Sequence, residues 1–209
     1  MGDHDALIDR LSLSVAPVRR LPPAWVRAMG WAVVALPCGL LATGLIRHSW
    51  LDWAQPDAWL AAVEILLSFL TGALAVTLAF DSSVAGRPLR GGGWLAVGGL
   101  AWLAANMIGI GLSARPLGRI GAGTFCFGFM MLAALPMIGI GILGLRRSPS
   151  LNPRWTLAVA GLGIAFMALA LLAFCHPVHG NLIDFLAHIV AGVSIVGLTT
   201  LCGRRWVAL

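Results

Sequence analysis

The sequence reads as an all-α membrane protein: a six-transmembrane-helix bundle with its N-terminus and C-terminus cytoplasmic. Three observations lead there. Hydrophobic residues fill 59% of the 209 positions and charged residues only 11%, about half the share of roughly 25% usual in globular proteins. The apolar residues are gathered into six stretches, each close to the roughly 20 residues that cross a bilayer core. All fourteen basic residues are arginine, and they divide unevenly between the two sets of alternate flanks.

In chain order the spans fall near 25–46, 58–80, 93–112, 124–145, 155–174 and 182–201, with residues 1–24 forming a polar head before them. With the head inside, the cytoplasmic flanks hold Arg10, Arg19, Arg20, Arg27, Arg87, Arg90, Arg146, Arg147, Arg154, Arg204 and Arg205, eleven of the fourteen. Only Arg47, Arg115 and Arg119 stay outside, the asymmetry that sets orientation in multi-pass proteins. Trp50, Trp53 and Trp59 cluster at the first outer loop and Trp25, Trp155 and Trp206 near inner ends, where indole rings anchor at the headgroup level. A long polar head before a span-length apolar run, with no small-residue cleavage site after it, reads as a retained anchor and not as a signal peptide.

The net charge of +6 does not point to direct nucleic-acid contact, because it is spread over membrane flanks without a dense basic stripe or interleaved stacking aromatics. No internal repeat marks a transporter of duplicated halves. Gly98, Gly99, Gly109, Gly111, Gly139, Gly141, Gly144, Gly161 and Gly163 fall inside spans, where small residues let helix backbones approach closely. Such faces pack within one chain or between two, so oligomeric state stays open.

In the head, Asp3 or Asp5 is placed to cap a helix, and Leu7, Ile8, Leu11 and Val15 recur at helical spacing as one apolar stripe. Pro17 should end that helix, and Val18, Arg19, Arg20, Leu21, Pro22 and Pro23 then read as extended chain. A helix of about ten residues is marginal alone in water. It needs a lipid surface or a protein groove, and two acidic residues against one arginine suit anionic lipid poorly.

The run LIDRLSLSVAPVRRLPP, followed by a tryptophan and an arginine leading into the first span, resembles the N-terminal signature of the NrsF-type membrane anti-sigma factors, six-helix inner-membrane proteins paired with an extracytoplasmic-function sigma factor. Cys126 in the fourth span and Cys175 in the run AFCHPVHG, followed by His188, fall where that family carries its cysteine pair. The resemblance thus covers the whole chain in helix number and order. It implies that Leu7, Ile8, Leu11, Val15, Pro17, Val18, Arg19, Arg20 and Leu21 hold a sigma factor. It also implies that Cys126 and Cys175 receive a heavy-metal or oxidative stress, with no cofactor required beyond a transient metal ion as signal.

The residues themselves lead to a compatible place. On this topology Cys126 and Cys175 lie near the outer face, where an oxidising compartment lets a disulfide persist. Cys38 and Cys202 read as small buried hydrophobes. Near the outer pair stand His176, His179, Asp184 and His188, the last two sharing a helix face, with His188 about 9 Å below its helix end and Glu64 at similar depth. Ionisable groups in spans usually face the interior and pair, so Glu64 or Asp184 pairing with His188 is one reading. The other is a soft-metal site built from Cys126, Cys175, His176, His179 and His188, or a thiol pair open to oxidation. No Cys-x-x-Cys motif supports the metal from spacing.

Three function classes follow. The first is an inner-membrane anti-sigma factor, released by repacking or by proteolysis. The second is a small proton- or cation-coupled transporter using Glu64, Asp184 and His188, which leaves the head unexplained. The third is a thiol oxidoreductase, which ordinarily wants a second reactive pair. An enzyme is not expected, because no nucleophile, base and orienting group stand at a defensible spacing.

Overall fold

The computed structural model describes all residues except 1, 15–20, 47–50, 52, 55–57, 85, 88–90, 114–116, 118–122, 149, 176–180 and 208–209. Seven helices stand among them: α1 (Gly2–Ser14), α2 (Ala24–Thr43), α3 (Ala58–Ser82), α4 (Gly92–Leu112), α5 (Gly123–Leu145), α6 (Pro153–Ala173) and α7 (Leu182–Val207). No strand occurs among the described residues. Helices α2 to α7 are each long and apolar enough to cross a membrane, and the chain is a multi-pass helical membrane protein.

Local chemistry sets the helix starts. Pro22 and Pro23 cannot extend a helix backwards, and the Pro23 carbonyl accepts the N–H groups of Val26 and Arg27 as α2 begins. Gly91, at a φ of 113°, takes the left-handed backbone ahead of α4, a conformation that favours glycine. Pro153 opens α6, where its missing N–H costs no helical bond.

Boundaries differ from the sequence reading at two places. The first span stops at Thr43, whose hydroxyl bonds back to the Leu40 carbonyl, and Leu45 and Ile46 follow in tight turns to Ala42 and Thr43. The last helix continues to Val207 and takes in Arg204 and Arg205. Helix α1 begins at Gly2, so Asp3 and Asp5 fall inside its first turn instead of preceding it. The expected stop at Pro17 lies outside the described residues.

The centre of the bundle is α6, buried on nearly every side and packed chiefly on α3, α7 and α5. Apolar contact gains little over lipid inside a bilayer, so close backbone approach carries much of the association. A methyl group on Gly163 would lie 2.9 Å from the Val76 backbone nitrogen, and one on Gly161 would lie 2.8 Å from the Val196 Cα. Gly98, Gly141 and Gly144 also face neighbours, but Gly99, Gly109, Gly111 and Gly139 have no atom within 4 Å of an added Cβ. The packing role expected of Gly99, Gly111 and Gly139 fails, because α4 is peripheral and packs principally along α3, while Gly139 lies on the exposed side of α5; Gly109 is buried without so close an approach.

The starts of α2 and α6 meet the ends of α3, α5 and α7 at one end of the bundle, here the head end. Ser150 N–H donates to the Val207 carbonyl and Arg27 donates to Ser148. Exposed Trp25, Trp155 and Trp206 ring that end, and exposed Trp53 and Trp59 mark the opposite one.

Candidate functional site

At the end far from the head, α3, α4 and α7 enclose a small polar chamber walled by Glu64, Asn106, Asn181, Asp184 and His188. Its free volume of about 20 Å³ admits a water molecule or a bare cation and excludes an organic substrate. Asp184 and His188 are buried, at 7% and 6% exposure. Glu64 and His188, which the sequence puts at similar depth, and Asp184, on the same helix face as His188, therefore share one enclosure. Asn106 turns its amide back to the Trp102 carbonyl at 3.0 Å.

The start of α7 explains why Asp184 points inward. Asn181 caps the helix: its side-chain oxygen accepts the Asp184 N–H at 3.0 Å, and its amide donates in return to the Asp184 carboxylate. The first bond is an N-cap, and the second ties the capping side chain to the carboxylate three residues on. It leaves the other carboxylate oxygen facing α5, where the Cys126 S–H donates to Oδ1 at 3.9 Å. A thiol in the fourth span and a carboxylate in the sixth thus meet across the α5–α7 interface.

Cys126 and Cys175 are both buried, and all four cysteines are free thiols. Cys175 follows the end of α6 with its N–H bonded to the Leu172 carbonyl, and burial pushes its thiol pKa up. Among the described residues no group of three His, Cys, Asp or Glu side chains is disposed to hold a metal ion. His176 and His179, two of the metal candidates, lie outside the described residues. Cys38 is half-buried and Cys202 exposed, which corrects their reading as buried hydrophobes. The buried stripe of α7 runs through Ile195, Thr199, Gly203 and Val207, and Cys202 sits one position off it.

The head end carries a second polar cluster. Arg27, in the first turn of α2, donates to the Phe80 carbonyl, to Ser148 Oγ at 3.0 Å and to Ser83 Oγ at 3.3 Å. Its guanidinium carbon also lies 5.4 Å from the Phe80 ring centroid. Ser83 and Ser148 bond each other at 2.8 Å, and Ser150 and Thr156 at 2.9 Å. Four chain segments are tied there within a turn of where the head joins the bundle.

In the head, residues 4–13 are all exposed. Leu7, Ile8 and Leu11, at 54%, 61% and 57% exposure, form an exposed apolar stripe. Leu21 is exposed as well, while Val15, Pro17, Val18, Arg19 and Arg20 lie outside the described residues. Below the head an open groove is lined by Leu21, Pro22, Trp25, Asp81 and Arg87, with Arg87 and Asp81 paired.

No family model, curated protein or solved structure matches this chain.

Sequence reasoning missed Asn181, Asn106 and the role of Arg27. Asn181 carried a readable signal, Asn-x-x-Asp before an apolar run, which is a helix-start pattern. The contact between Cys126 and Asp184 joins positions 58 residues apart, and only the bundle brings them together.

Proposed function

We propose that this protein is an anti-sigma factor of the bacterial inner membrane. Its N-terminal segment holds an extracytoplasmic-function sigma factor on the cytoplasmic side and releases it when a heavy-metal or oxidative stress acts at the cysteine-bearing far end. The observation that carries the reading is α1, an amphipathic helix with Leu7, Ile8 and Leu11 each more than half exposed. An exposed stripe of this kind suits the groove of a partner protein. The resemblance of LIDRLSLSVAPVRRLPP to the anti-sigma signature supports a sigma factor as that partner, and the arginine asymmetry supports the cytoplasmic side.

The geometry supports a route for the signal. Capture of a soft metal by the Cys126 thiol, or its oxidation, breaks the contact with Asp184 and alters the seat of α7 against α5. Helix α7 runs unbroken from Asp184 to Val207, so the change reaches the Ser150 and Arg27 cluster at the foot of the head. For this to release a partner, the two packings must differ in their free energy with the signal bound.

A pull-down from native membranes in mild detergent, comparing the full chain with one lacking residues 2–22, tests the reading. Recovery of a sigma factor by the full chain alone supports it, and recovery by neither overturns it. The sensor role is tested separately: stress induction that persists after Cys126→Ser and Cys175→Ser removes the thiols from the mechanism.

A second reading is favoured by the polar chamber. Its buried Asp184 and His188 beside Glu64 suit a proton or small-cation path, and its volume limits the cargo to that size. Ion flux in proteoliposomes that disappears with Asp184→Asn, and survives loss of residues 2–22, would establish this reading.

A further inference from the structure

At the head end of the bundle, we propose that the ends of α5 and α7 and the start of α6 together bind the headgroup of an anionic phospholipid in the leaflet they face. The inference is independent of the anti-sigma reading. It rests on five arginines, Arg146, Arg147, Arg154, Arg204 and Arg205, which are scattered in sequence and all exposed. The fold gathers them. The Ser150 N–H donates to the Val207 carbonyl at 3.0 Å and ties the connection between α5 and α6 to the end of α7. A Cβ added to Gly203 would meet Leu157 Cδ2 at 2.5 Å and Ile142 Cγ1 at 3.2 Å, so the last turns of α7 lie against both other helices. Arg146, one turn beyond Ile142, reaches across to α7, with its guanidinium carbon 5.6 Å from the Trp206 ring centroid.

The chemistry of the occupant follows from charge and position. None of the five arginines forms an ion pair among the described residues. Between Ile142 and Leu209 the one acidic residue is Asp184, at the opposite end of α7. Arg154 also stands in the first turn of α6, the positive end of that helix dipole, so the dipole adds to the local potential. Like charges gathered on one face repel, and an anion among them relieves the repulsion. A phosphate suits them, because it accepts two parallel hydrogen bonds from a single guanidinium. The apolar neighbours decide which phosphate. Trp155 and Trp206 are each 58% exposed, and Leu151 and Leu201 in the same segments are exposed as well. A water-borne phosphate gains nothing from that surface, whereas a phospholipid lays its glycerol and acyl chains against it while its phosphate meets the guanidinium groups. Clusters of about four to eight basic residues at the end of a membrane helix are the usual sequence mark of anionic-lipid binding.

The test uses the full chain in mild detergent, titrated with an equimolar mixture of phosphatidylglycerol and phosphatidylcholine and read by native mass spectrometry. The expected result is retention of phosphatidylglycerol in preference to phosphatidylcholine. Arg146→Gln combined with Arg205→Gln removes two exposed charges and should weaken that binding about twenty-fold, at about five-fold for each charge. Arg146→Lys combined with Arg205→Lys keeps the charges and should retain most of the binding, which separates an electrostatic loss from a loss of folding. Removing residues 2–22 takes away Asp3, Asp5 and Asp9, the acidic residues of the head that could compete for these arginines, and should leave phosphatidylglycerol binding unchanged. Equal retention of the two lipids by the full chain overturns the proposal. So does a phosphatidylglycerol preference that survives in the glutamine pair, or one lost to the same extent in the lysine pair. A preference that appears only once residues 2–22 are removed makes the head the occupant and overturns it as well.

Discussion

Replacing Gly163 with alanine tests the account of how this bundle is held together. At Gly163 the new methyl carbon would lie 2.7 Å from Val76 Cγ2, 2.9 Å from Val76 N and 3.1 Å from the Gly72 carbonyl oxygen. Two of those three atoms are backbone and cannot rotate away. Restoring an ordinary contact near 3.6 Å requires α3 and α6 to part by about 0.7 Å, and such overpacking costs about 1–3 kcal/mol. The separation also loosens Met167, whose Cγ and N lie 3.1 and 3.2 Å from the position of a Cβ on Gly72. The matched control is Gly139→Ala, where nothing lies within 4 Å and the helix gains up to about 1 kcal/mol in propensity. Gly163→Ala carries the same propensity gain, so the two variants should differ by the overpacking cost alone, roughly 1–3 kcal/mol, in reversible unfolding, measured by titration into denaturing detergent with circular dichroism as readout. Equal stability of the two would refute close α3–α6 approach as the organising contact.

Three further outcomes are expected. Arg27→Met should loosen the head end by about 2–3 kcal/mol, because it removes charge-assisted hydrogen bonds to the Phe80 carbonyl, Ser83 and Ser148; hydrogen exchange should rise at the end of α3 and stay unchanged near Glu64. Asn181→Ala removes both halves of the cap on α7 and should cost about 1 kcal/mol, seen as faster exchange confined to the first turn of that helix. In nanodiscs, alkylation of Cys175 should lag that of exposed Cys202 and should still be rising above pH 9. Burial raises the Cys175 pKa, and only the thiolate reacts, so more alkali is needed to populate it.

The six spans were legible because a bilayer demands long apolar runs whatever their neighbours, and the observed helices match the predicted ones to within a few residues except at the end of α7. The depth of Glu64 and His188 was legible for a related reason: in an apolar run any ionisable residue stands out. Which glycines pack was not legible. Gly163 and Gly139 look alike in sequence, and only the arrangement of α3 around α6 separates them.

The helices are of unequal length, and that has a mechanical consequence. At 1.5 Å per residue, the 26 residues of α7 extend about 39 Å and the 20 of α2 about 30 Å. A typical hydrocarbon core is about 30 Å thick, so α2 matches it upright while α7 must lean or protrude. Hydrophobic mismatch of this kind is relieved by tilt, and α7 bears both the carboxylate that faces Cys126 and the carbonyl that holds Ser150. Bilayer thickness thereby becomes a variable that sets the inclination of a helix joining the two polar clusters.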